Sequence, residues 1–363
     1  TGNGDASGGK QLSTSFKPDF IWNKNFSTAY HNRLWDSVRG WDKAIYSNNK
    51  EQENNWTDYG YPLQVTDTYV KVGQGTNSGN LVNINGSMYA QWMWKAGGGS
   101  GAGGEFWKDD IQYANAAAVG LSGGTITPTA ASIGTKQGFS IIKYQGNGTS
   151  GATVPHGLSE APTFILAKAL NQSGGVSVGW GVFHVGGSYS GSMLYLMQGT
   201  SAAGDTNVFT TTTQTNNHFT IGDWAGINQN GTDYIAYCWH NVDGLQRFGS
   251  YTGNSDADGP YIDLGFRPAM VAFKNTTGNH WGHLDTARDN YSPLKNRLHW
   301  NLYDTTNSGA GNVIQFCANG FKCMSSDGLE NGSANMLYMA WAESPVSNMY
   351  GAQANAWGGK NSY

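Results

Sequence analysis

Carboxylates that could cleave a glycosidic bond lie in two polar stretches of this 363-residue sequence. Glycoside hydrolysis needs two carboxyl groups, one acting as an acid and the other as a base or nucleophile. The candidates are Glu51, Glu53, Glu105, Asp109 and Asp110. Acids in loops of this kind are usually solvated, and no spacing marks out a pair. Since no nucleophile elbow, phosphate-binding loop or Ser/His/Asp signature is present either, we expect a protein without enzymatic activity.

Two segments could bind a metal ion. His280, His283 and Asp285 are close together in the sequence, but three ligands of suitable geometry are not evident. The segment "NSDADG" from Asn254 has oxygen-bearing side chains at alternate positions, as a calcium loop does. It lacks the glutamate that completes such a loop, so it is better interpreted as a turn. We expect no cofactor, with calcium as the alternative.

Aromatic residues in the variable loops are the best candidates for ligand contacts. They stand in segments rich in asparagine and glycine, and are Trp41, Trp56, Tyr59, Trp107 and Trp300. Flat aromatic faces beside amide side chains bind sugar rings by stacking and hydrogen bonding. The alternative is that these rings pack their loops onto the body of the protein.

The composition limits the fold class and the partners. The 52 glycines, with 14 Trp, 19 Tyr and 14 Phe, indicate short strands joined by tight turns, and no amphipathic helix is evident. We therefore expect an all-β protein. The net charge of -4 argues against a nucleic-acid partner, because phosphate binding needs clustered Lys and Arg. No apolar run approaches the roughly 18 residues that cross a bilayer, so we expect no membrane insertion.

The strongest signal is a threefold repeat. Each copy begins with a proline, an apolar run and a lysine, and ends with an aromatic strand. The copies run from Pro18 to Tyr89, from Pro162 to Tyr234 and from Pro268 to Tyr338, over separations of 71, 72 and 70 residues. The prolines are predicted to open the first core strand of each copy, where a missing N–H costs little. An Asn-Gly turn precedes each closing strand, as in a tight hairpin.

These copies predict three tandem β-sandwich modules, jelly-roll-like and of about 100 residues each. The predicted segments are module one at 1–95, a Gly/Ala-rich insert and linker at 96–138, module two at 139–247, module three at 248–346 and a C-terminal tail at 347–363. Strands "GFSIIKY" and "LQRFGSY" precede modules two and three, whereas module one opens at "TGNG". We therefore expect the first strand of module one to be missing and to be supplied by another segment or by an upstream region of a longer product.

The closing strand predicts two different faces. Alternate residues point to opposite sides of a strand. One face carries large side chains, namely those of Trp92, Tyr237 and Trp341. The other face carries small residues such as Ala236 and Ala340. The bulky face is expected to fill the core inside each sandwich, and the small face to lie under a neighbouring loop or module.

Two further pairs have structural interpretations. An Asp and an Arg recur three residues apart, as Asp36 with Arg39 and as Asp285 with Arg288. They predict ion pairs that hold a corner, and the alternative is that they grip a ligand.

Cys317 and Cys323 flank "ANGF", so a cross-strand disulfide is conceivable, although buried free cysteines are favoured.

The repeated motifs carry a resemblance. "FKPDFIWNKN", "RLWDSVRG", "YQGNG", "YIAYCWH", "GFRPAMVAFKN" and "NGFKC" resemble the tandem modules of long virion-associated, tail-fibre-like proteins that marine tailed bacteriophages encode. The likeness covers residues 1–346 and brings no catalytic residues. The second module departs most, since it lacks the Asp-Ser-x-Arg motif.

The resemblance implies a location on the virion surface and a non-enzymatic role in attachment to the host cell. The expected ligand is a host surface polysaccharide, and the expected partners are other virion proteins and further copies of this chain, with a trimer favoured by analogy with fibres. One alternative is a purely structural capsid-decoration or fibre-shaft protein. A glycan-degrading enzyme is the other.

Overall fold

The computed structural model describes residues 1–343 except 56, 78–81, 172–178, 188–193, 198–206, 212, 290–291, 307–310 and 312. Within this part the chain is nearly all β, with two four-residue α-helices and one 3-10 turn, as the composition predicted. None of the described helices is both long and apolar enough to cross a bilayer.

The strands follow one another along the chain in three groups. The first group is β1 Lys10–Ser13, β2 Phe20–Asn25, β3 Arg33–Asp36, β4 Gly40–Tyr46, the 3-10 turn Thr57–Tyr59, β5 Gly60–Val65, β6 Tyr69–Gln74 and β7 Tyr89–Trp94. The second is β8 Phe106–Lys108, β9 Ile111–Tyr113, β10 Ala130–Gly134, β11 Phe139–Gln145, β12 Ala152–Pro155, β13 Phe164–Ala169, β14 Trp180–His184, β15 Leu194–Tyr195, β16 His218–Ile221, α1 Ala225–Asn228 and β17 Asp233–Trp239. The third is β18 Gln246–Thr252, β19 Tyr261–Asp263, β20 Pro268–Asn275, β21 Gly282–Asp285, β22 Leu298–His299, β23 Ile314–Cys317, β24 Gly320–Cys323, α2 Gly328–Asn331 and β25 Asn335–Ala342.

Each group contains one large sheet with the same central order. The first large sheet is β4-β3-β2-β7, the second is β15-β14-β13-β17-β11-β10-β8-β9, and the third is β22-β21-β20-β25-β18. In every case the strand that follows the repeated proline pairs antiparallel with the closing aromatic strand. Pro18 and Pro162 lie just ahead of β2 and β13, and Pro268 is the first residue of β20, so the prolines open these strands as predicted.

The strand register corrects one predicted equivalence. The repeated lysines lie opposite Ala90, Ile235 and Leu337. The residues before these are Tyr89, Tyr234 and Met336, whereas Tyr338 lies opposite Phe273, two residues further along. Tyr338 is therefore not the counterpart of Tyr89 and Tyr234. The aligned residues at the end of the closing strands are Trp94, Trp239 and Trp341.

One face of each large sheet packs against a smaller sheet, which gives the fold its sandwich-like character. The smaller sheets are β1-β6-β5, β12-β16 and β19-β24-β23. Met93 belongs to the first of these cores together with Val70 and Val72. Ala236 and Cys238 lie in the second core, and Ala340 lies in the third. The small-residue face of the closing strand thus fills the core inside each group.

The opposite faces of the three large sheets meet in one common core, which we call the central aromatic core. Trp94 lies between Trp239 and Trp341, with ring centroids 6.3 and 5.6 Å away. Phe20 contacts Tyr237 at 4.5 Å, and Phe164 contacts Phe248 at 5.7 Å. The expected assignment of the two faces is therefore wrong, because the bulky residues pack between groups of strands and not within them.

Candidate functional site

Trp300 does not present its ring to a ligand. Its side chain is 2% exposed and belongs to the central aromatic core. The ring lies 4.9 Å from that of Trp22 and stacks on that of Trp281 at 6.3 Å. Its segment follows the short strand β22 at the edge of the third large sheet, which directs the indole inward. The prediction that Trp300 binds a ligand is corrected accordingly.

Tyr59 is half-buried and has a partner in the protein. It ends the 3-10 turn, and the guanidinium carbon of Arg33 lies 5.2 Å from its ring centroid. Arg33 also donates a hydrogen bond to the Tyr46 hydroxyl at 3.1 Å. Trp56, three residues earlier, lies outside the described residues.

The glycine-rich segment 97–104 contacts both Trp41 and Trp107. Trp41 is the second residue of β4, the outer strand of the first large sheet, and Trp107 lies in β8 of the second. The Trp41 amide donates to Gly101 O at 3.2 Å. A β-carbon at Gly101 would lie 2.2 Å from the Trp41 ring, and one at Gly98 would lie 3.0 Å from the Trp107 ring. The segment thus passes directly against both indoles, which are partly exposed. We call Trp41, residues 97–104 and Trp107 the tryptophan surface.

Polar groups at the edge of the tryptophan surface are held in place. Glu105 Oε2 accepts from Trp107 Nε1 at 2.8 Å and from the Ser100 amide at 2.9 Å. Partial burial would raise the pKa of Glu105, but these hydrogen bonds outweigh it and hold the pKa below its ordinary value. Lys17 donates from Nζ to Gly99 O at 2.8 Å. The surface therefore places two partly exposed indoles and an ionised acceptor along one segment, a combination that suits polyhydroxylated ligands.

The other acids considered for catalysis have structural partners. Glu53 accepts from Arg39 at 3.2 Å, and Asp110 pairs with Lys95 at 2.5 Å. Asp109 accepts from the Thr135 amide and hydroxyl at 2.8 and 2.7 Å. Glu51 is exposed. These contacts connect neighbouring loops and do not bring the acids together around a cleft.

The corner ion pairs are buried, as their structural interpretation required. Arg39 Nε lies 2.5 Å from Asp36 Oδ2, with side chains 1% and 0% exposed. Arg288 contacts Asp285 at 2.7 Å with similar burial. Tyr237 donates to Asp36 Oδ2 at 2.7 Å, which connects the first and second large sheets. Because these charged groups are buried and bonded to one another, they support the interpretation as ion pairs that hold a corner.

The segments considered for metal binding form turns and packed rings. In the described part of the chain no group of three or more His, Cys, Asp or Glu side chains could hold a metal ion. His283 is buried, with its ring edge-on to Trp92 at 4.6 Å. In the segment that starts at Asn254, the Asp256 amide donates to Asn254 Oδ1 at 3.0 Å, as in a side-chain-stabilised turn. The three cysteines are free.

A cavity of about 450 Å³ lies beside β7, and sequence reasoning did not locate it. Its lining includes Tyr89–Met93, Thr1, Gly2 and the turn that carries Asp285 and Arg288. The cavity therefore lies between the closing strand of the first large sheet and a turn of the third group of strands.

Together the fold and the tryptophan surface define a β-sandwich-like, all-β protein with an aromatic polar surface between two of its large sheets. The chain belongs to the family described as "Domain of unknown function (DUF7483)", which matches residues 1–345. No curated protein and no solved structure matches the chain.

Proposed function

We propose that this protein is a non-enzymatic adhesion protein of a virion surface and that it binds host polysaccharide through the tryptophan surface. The observation that carries the proposal is that one glycine-rich segment contacts both Trp41 and Trp107, with Glu105 held as an ionised acceptor bonded to Trp107. The virion location rests on the resemblance of the repeated motifs to tail-fibre-like proteins.

We also propose that the chain consists of three tandem sandwich modules with the boundaries given above. The aligned registers around Lys24, Lys168 and Lys274 support this division. The three large sheets would then be related by an approximate threefold arrangement around the central aromatic core. Ligand binding is assigned to the side of the first module, where its loops meet the insert.

A single tryptophan surface should bind weakly. Aromatic stacking contributes on the order of 0.5–1.5 kcal/mol per contact beyond area burial. Many copies on one particle raise the overall avidity by roughly 10²–10⁴ through effective concentration. The relevant measurement is therefore multivalent adsorption.

The first prediction tests this surface. Beads displaying the full chain should adsorb to host cells, and the double variant Trp41→Ala with Trp107→Ala should lose most of that adsorption, because both stacking faces are removed. A matched control is Tyr261→Ala with Tyr303→Ala, which removes two aromatic rings that are 51% and 59% exposed elsewhere. Circular dichroism checks that both variants fold. Full adsorption by a folded tryptophan variant would exclude the tryptophan surface as the binding site.

A structural capsid-decoration or fibre-shaft role is the second candidate. It is favoured by the burial of most large aromatics in the central aromatic core, Trp300 included, which leaves a small aromatic surface for a ligand. Wild-type beads that fail to adsorb to host cells, with the chain still present in the virion, would favour this role.

The second prediction concerns self-association. Adhesion and shaft proteins both act in symmetric copies, and we propose a homotrimer that contacts other virion proteins. Light scattering of the purified chain at micromolar concentration should give three times the chain mass. A monomer in solution with no multimer in the virion would contradict the proposal.

A further inference from the structure

One position recurs in the three large sheets, on the strand that pairs with the lysine strand. It is the residue four places before the repeated lysine on the partner register, opposite Phe20 in β2, Phe164 in β13 and Met270 in β20. The residues found there are Asp36, His184 and Asp285. A buried histidine thus stands in the second large sheet where the first and third have an aspartate.

The contact between the first and second large sheets uses bonds without histidine. Tyr237 donates to Asp36 Oδ2 at 2.7 Å, and Trp180 Nε1 donates to Tyr46 O at 2.8 Å. A proton gained by a histidine leaves both of these bonds intact. Acid in the range where histidine titrates therefore does not act on them directly.

His184 lies at the contact between the second and third large sheets and is held as the neutral ring. Its side chain is fully buried. The Gly186 amide donates to Nδ1 at 3.1 Å, so Nδ1 carries no proton, and Nε2 donates to Tyr338 O of β25 at 3.1 Å. Asn335 Nδ2 donates to Gly186 O at 2.9 Å, which fixes the same turn on the third group. A proton on Nδ1 would break a bond that shapes this contact.

The strands around His184 bring no carboxylate to its ring, as far as the structure describes the chain. On β13, Lys168 lies opposite Trp180, away from His184. On β25 and β18, the rings of Tyr338 and Tyr251 pack in the core of the third group, and Arg247 lies beside Tyr338. Burial therefore lowers the pKa of His184 to about 4, against a smaller effect of the Tyr338 carbonyl.

A second buried histidine, His283, lies where the third large sheet contacts the first. Its ring is edge-on to Trp92 of β7 at 4.6 Å, and neither ring nitrogen has a hydrogen-bond partner among the described residues. The charged and titratable groups around it are Asp285, Arg288, Lys24 and His299. Asp285 Oδ2 lies 3.7 Å from Nε2 but already accepts from Arg288 at 2.7 Å. Burial and the neighbouring Arg288 hold the pKa of His283 well below its ordinary value.

We propose that His184 and His283 form an acid-sensitive switch that loosens the contacts of the third large sheet with the other two. A proton on His184 removes the acceptor of the Gly186 amide at the contact with the second sheet. A proton on His283 places a charge against Trp92 and beside Arg288 at the contact with the first. Histidine protonation is a known way to open a buried contact. The switch does not depend on the ligand proposed for the tryptophan surface.

The direction of the pH effect follows from the two states of each ring. In a loosened core the pKa of a histidine is about 6.5, whereas in the closed core it is about 4 for His184 and well below 6.5 for His283. The loosened state therefore binds more protons once the pH falls below 6.5. Each ring should reduce the ratio of closed to loosened molecules by up to about tenfold per pH unit, and the effect of His184 is complete near pH 4.

The third prediction compares acid titrations of the full chain. Near-ultraviolet circular dichroism of the wild type, which reports aromatic packing, should fall between pH 6.5 and about 4 while the far-ultraviolet signal of the strands persists. The double variant His184→Gln with His283→Leu cannot gain these protons. It should lose the near-ultraviolet signal at a pH lower by about half a unit or more. Leucine is chosen because Leu34 occupies the place of His283 in the first large sheet.

The matched control is His156→Gln. His156 is buried and has the same two kinds of bond, since Nδ1 accepts from the Leu158 amide at 3.1 Å and Nε2 donates to Thr215 O at 3.0 Å. Burial lowers its pKa to about 4 as well, but its partners all belong to the second group. This variant should keep the wild-type transition. An equal shift in the control, or near- and far-ultraviolet signals that disappear together in the wild type, would indicate general acid unfolding and overturn the proposal.

Histidine NMR of the wild type provides a measurement that needs no stable variant. At pH 5, where an exposed histidine is protonated, the ring of His184 should be neutral with its proton on Nε2, and the ring of His283 should also be neutral. A His184 or His283 ring that titrates near pH 6.5 in the native protein would contradict the proposal.

Discussion

Each large sheet contains a buried lysine whose ammonium group donates a hydrogen bond to a backbone carbonyl oxygen. Lys24 Nζ donates to Tyr30 O at 2.5 Å, Lys274 Nζ to Gly278 O at 2.8 Å, and Lys168 Nζ to Asn49 O at 3.3 Å. In the first and third sheets the acceptor belongs to the loop that follows the lysine strand. For Lys168 it belongs to the first group of strands, so this lysine also connects two sheets.

The sequence showed that the lysine is repeated, but not that its side chain is buried and hydrogen-bonded. A lysine at the end of an apolar run suggests a charged side chain that extends into solvent. All three side chains are instead buried, because loops cover the ends of the strands and offer carbonyl oxygens. Only the folded loops determine that, so the burial could not be predicted from the strand pattern alone.

The fourth prediction follows from the burial of these amines. Desolvation lowers the pKa of Lys168 to about 7 and that of Lys24 and Lys274 to about 8. Between these values and about 10.5 each of these lysines binds more protons in the unfolded chain than in the folded chain. Each lysine should therefore make the free energy of unfolding rise with pH over this range, by up to about 1.4 kcal/mol per pH unit.

Urea unfolding of the wild type at pH values from 7 to 9.5 measures this slope. Lys168→Met should flatten it, whereas Lys136→Met, at an exposed position, should leave it as in the wild type. Equal slopes in all three proteins would show that Lys168 keeps its proton in both states.

At the scale of strands, the sequence predicted the elements better than their contacts. The proline that opens each core strand and the aromatic closing strand are where the repeat placed them. The third closing strand was aligned through Tyr338, because "NMLYMAWA" contains one tyrosine, and this gave a shift of two residues. A shift of two keeps every side chain on its face, so alternation alone could not reveal it.

The two faces of the closing strand illustrate a second limit. Alternation separates Trp92 and Trp94 from Gln91 and Met93, but it does not say which neighbour each face meets. The large side chains were expected to lie inside each sandwich. The structure places it between the large sheets, where three faces must together fill a space that no single pair of sheets encloses. The same long-range packing buries Trp300, whose local sequence "RLHWNL" is polar enough to suggest a surface loop.

At the scale of the whole molecule, the central aromatic core joins the three groups of strands into one packed body. Residues of all three large sheets belong to this core, and rings from different sheets contact one another directly. The side chain of Trp281 also donates to Tyr195 O at 3.0 Å, which connects the third group to the second. A module of about 100 residues could enclose its own core in principle, but here each would expose a broad aromatic face if separated.

The fifth prediction is that the chain unfolds as a unit. Trp239 is 1% exposed and contacts Phe20, Trp94 and Phe164, so its ring touches strands of two groups. Trp239→Ala should destabilise the protein by about 3–5 kcal/mol, the range for truncating a large buried aromatic. Because the core is shared, far-ultraviolet circular dichroism and tryptophan fluorescence should both shift to lower urea concentration and keep a common midpoint.

A half-exposed indole is the matched control for that experiment. Trp107→Ala removes the same side chain from the tryptophan surface, where it borders no part of the central aromatic core, and it should cost clearly less. Two separate transitions in the Trp239→Ala protein, one near the wild-type midpoint and one far below it, would show that each group of strands is stable alone. The central aromatic core would then be a contact between independent domains.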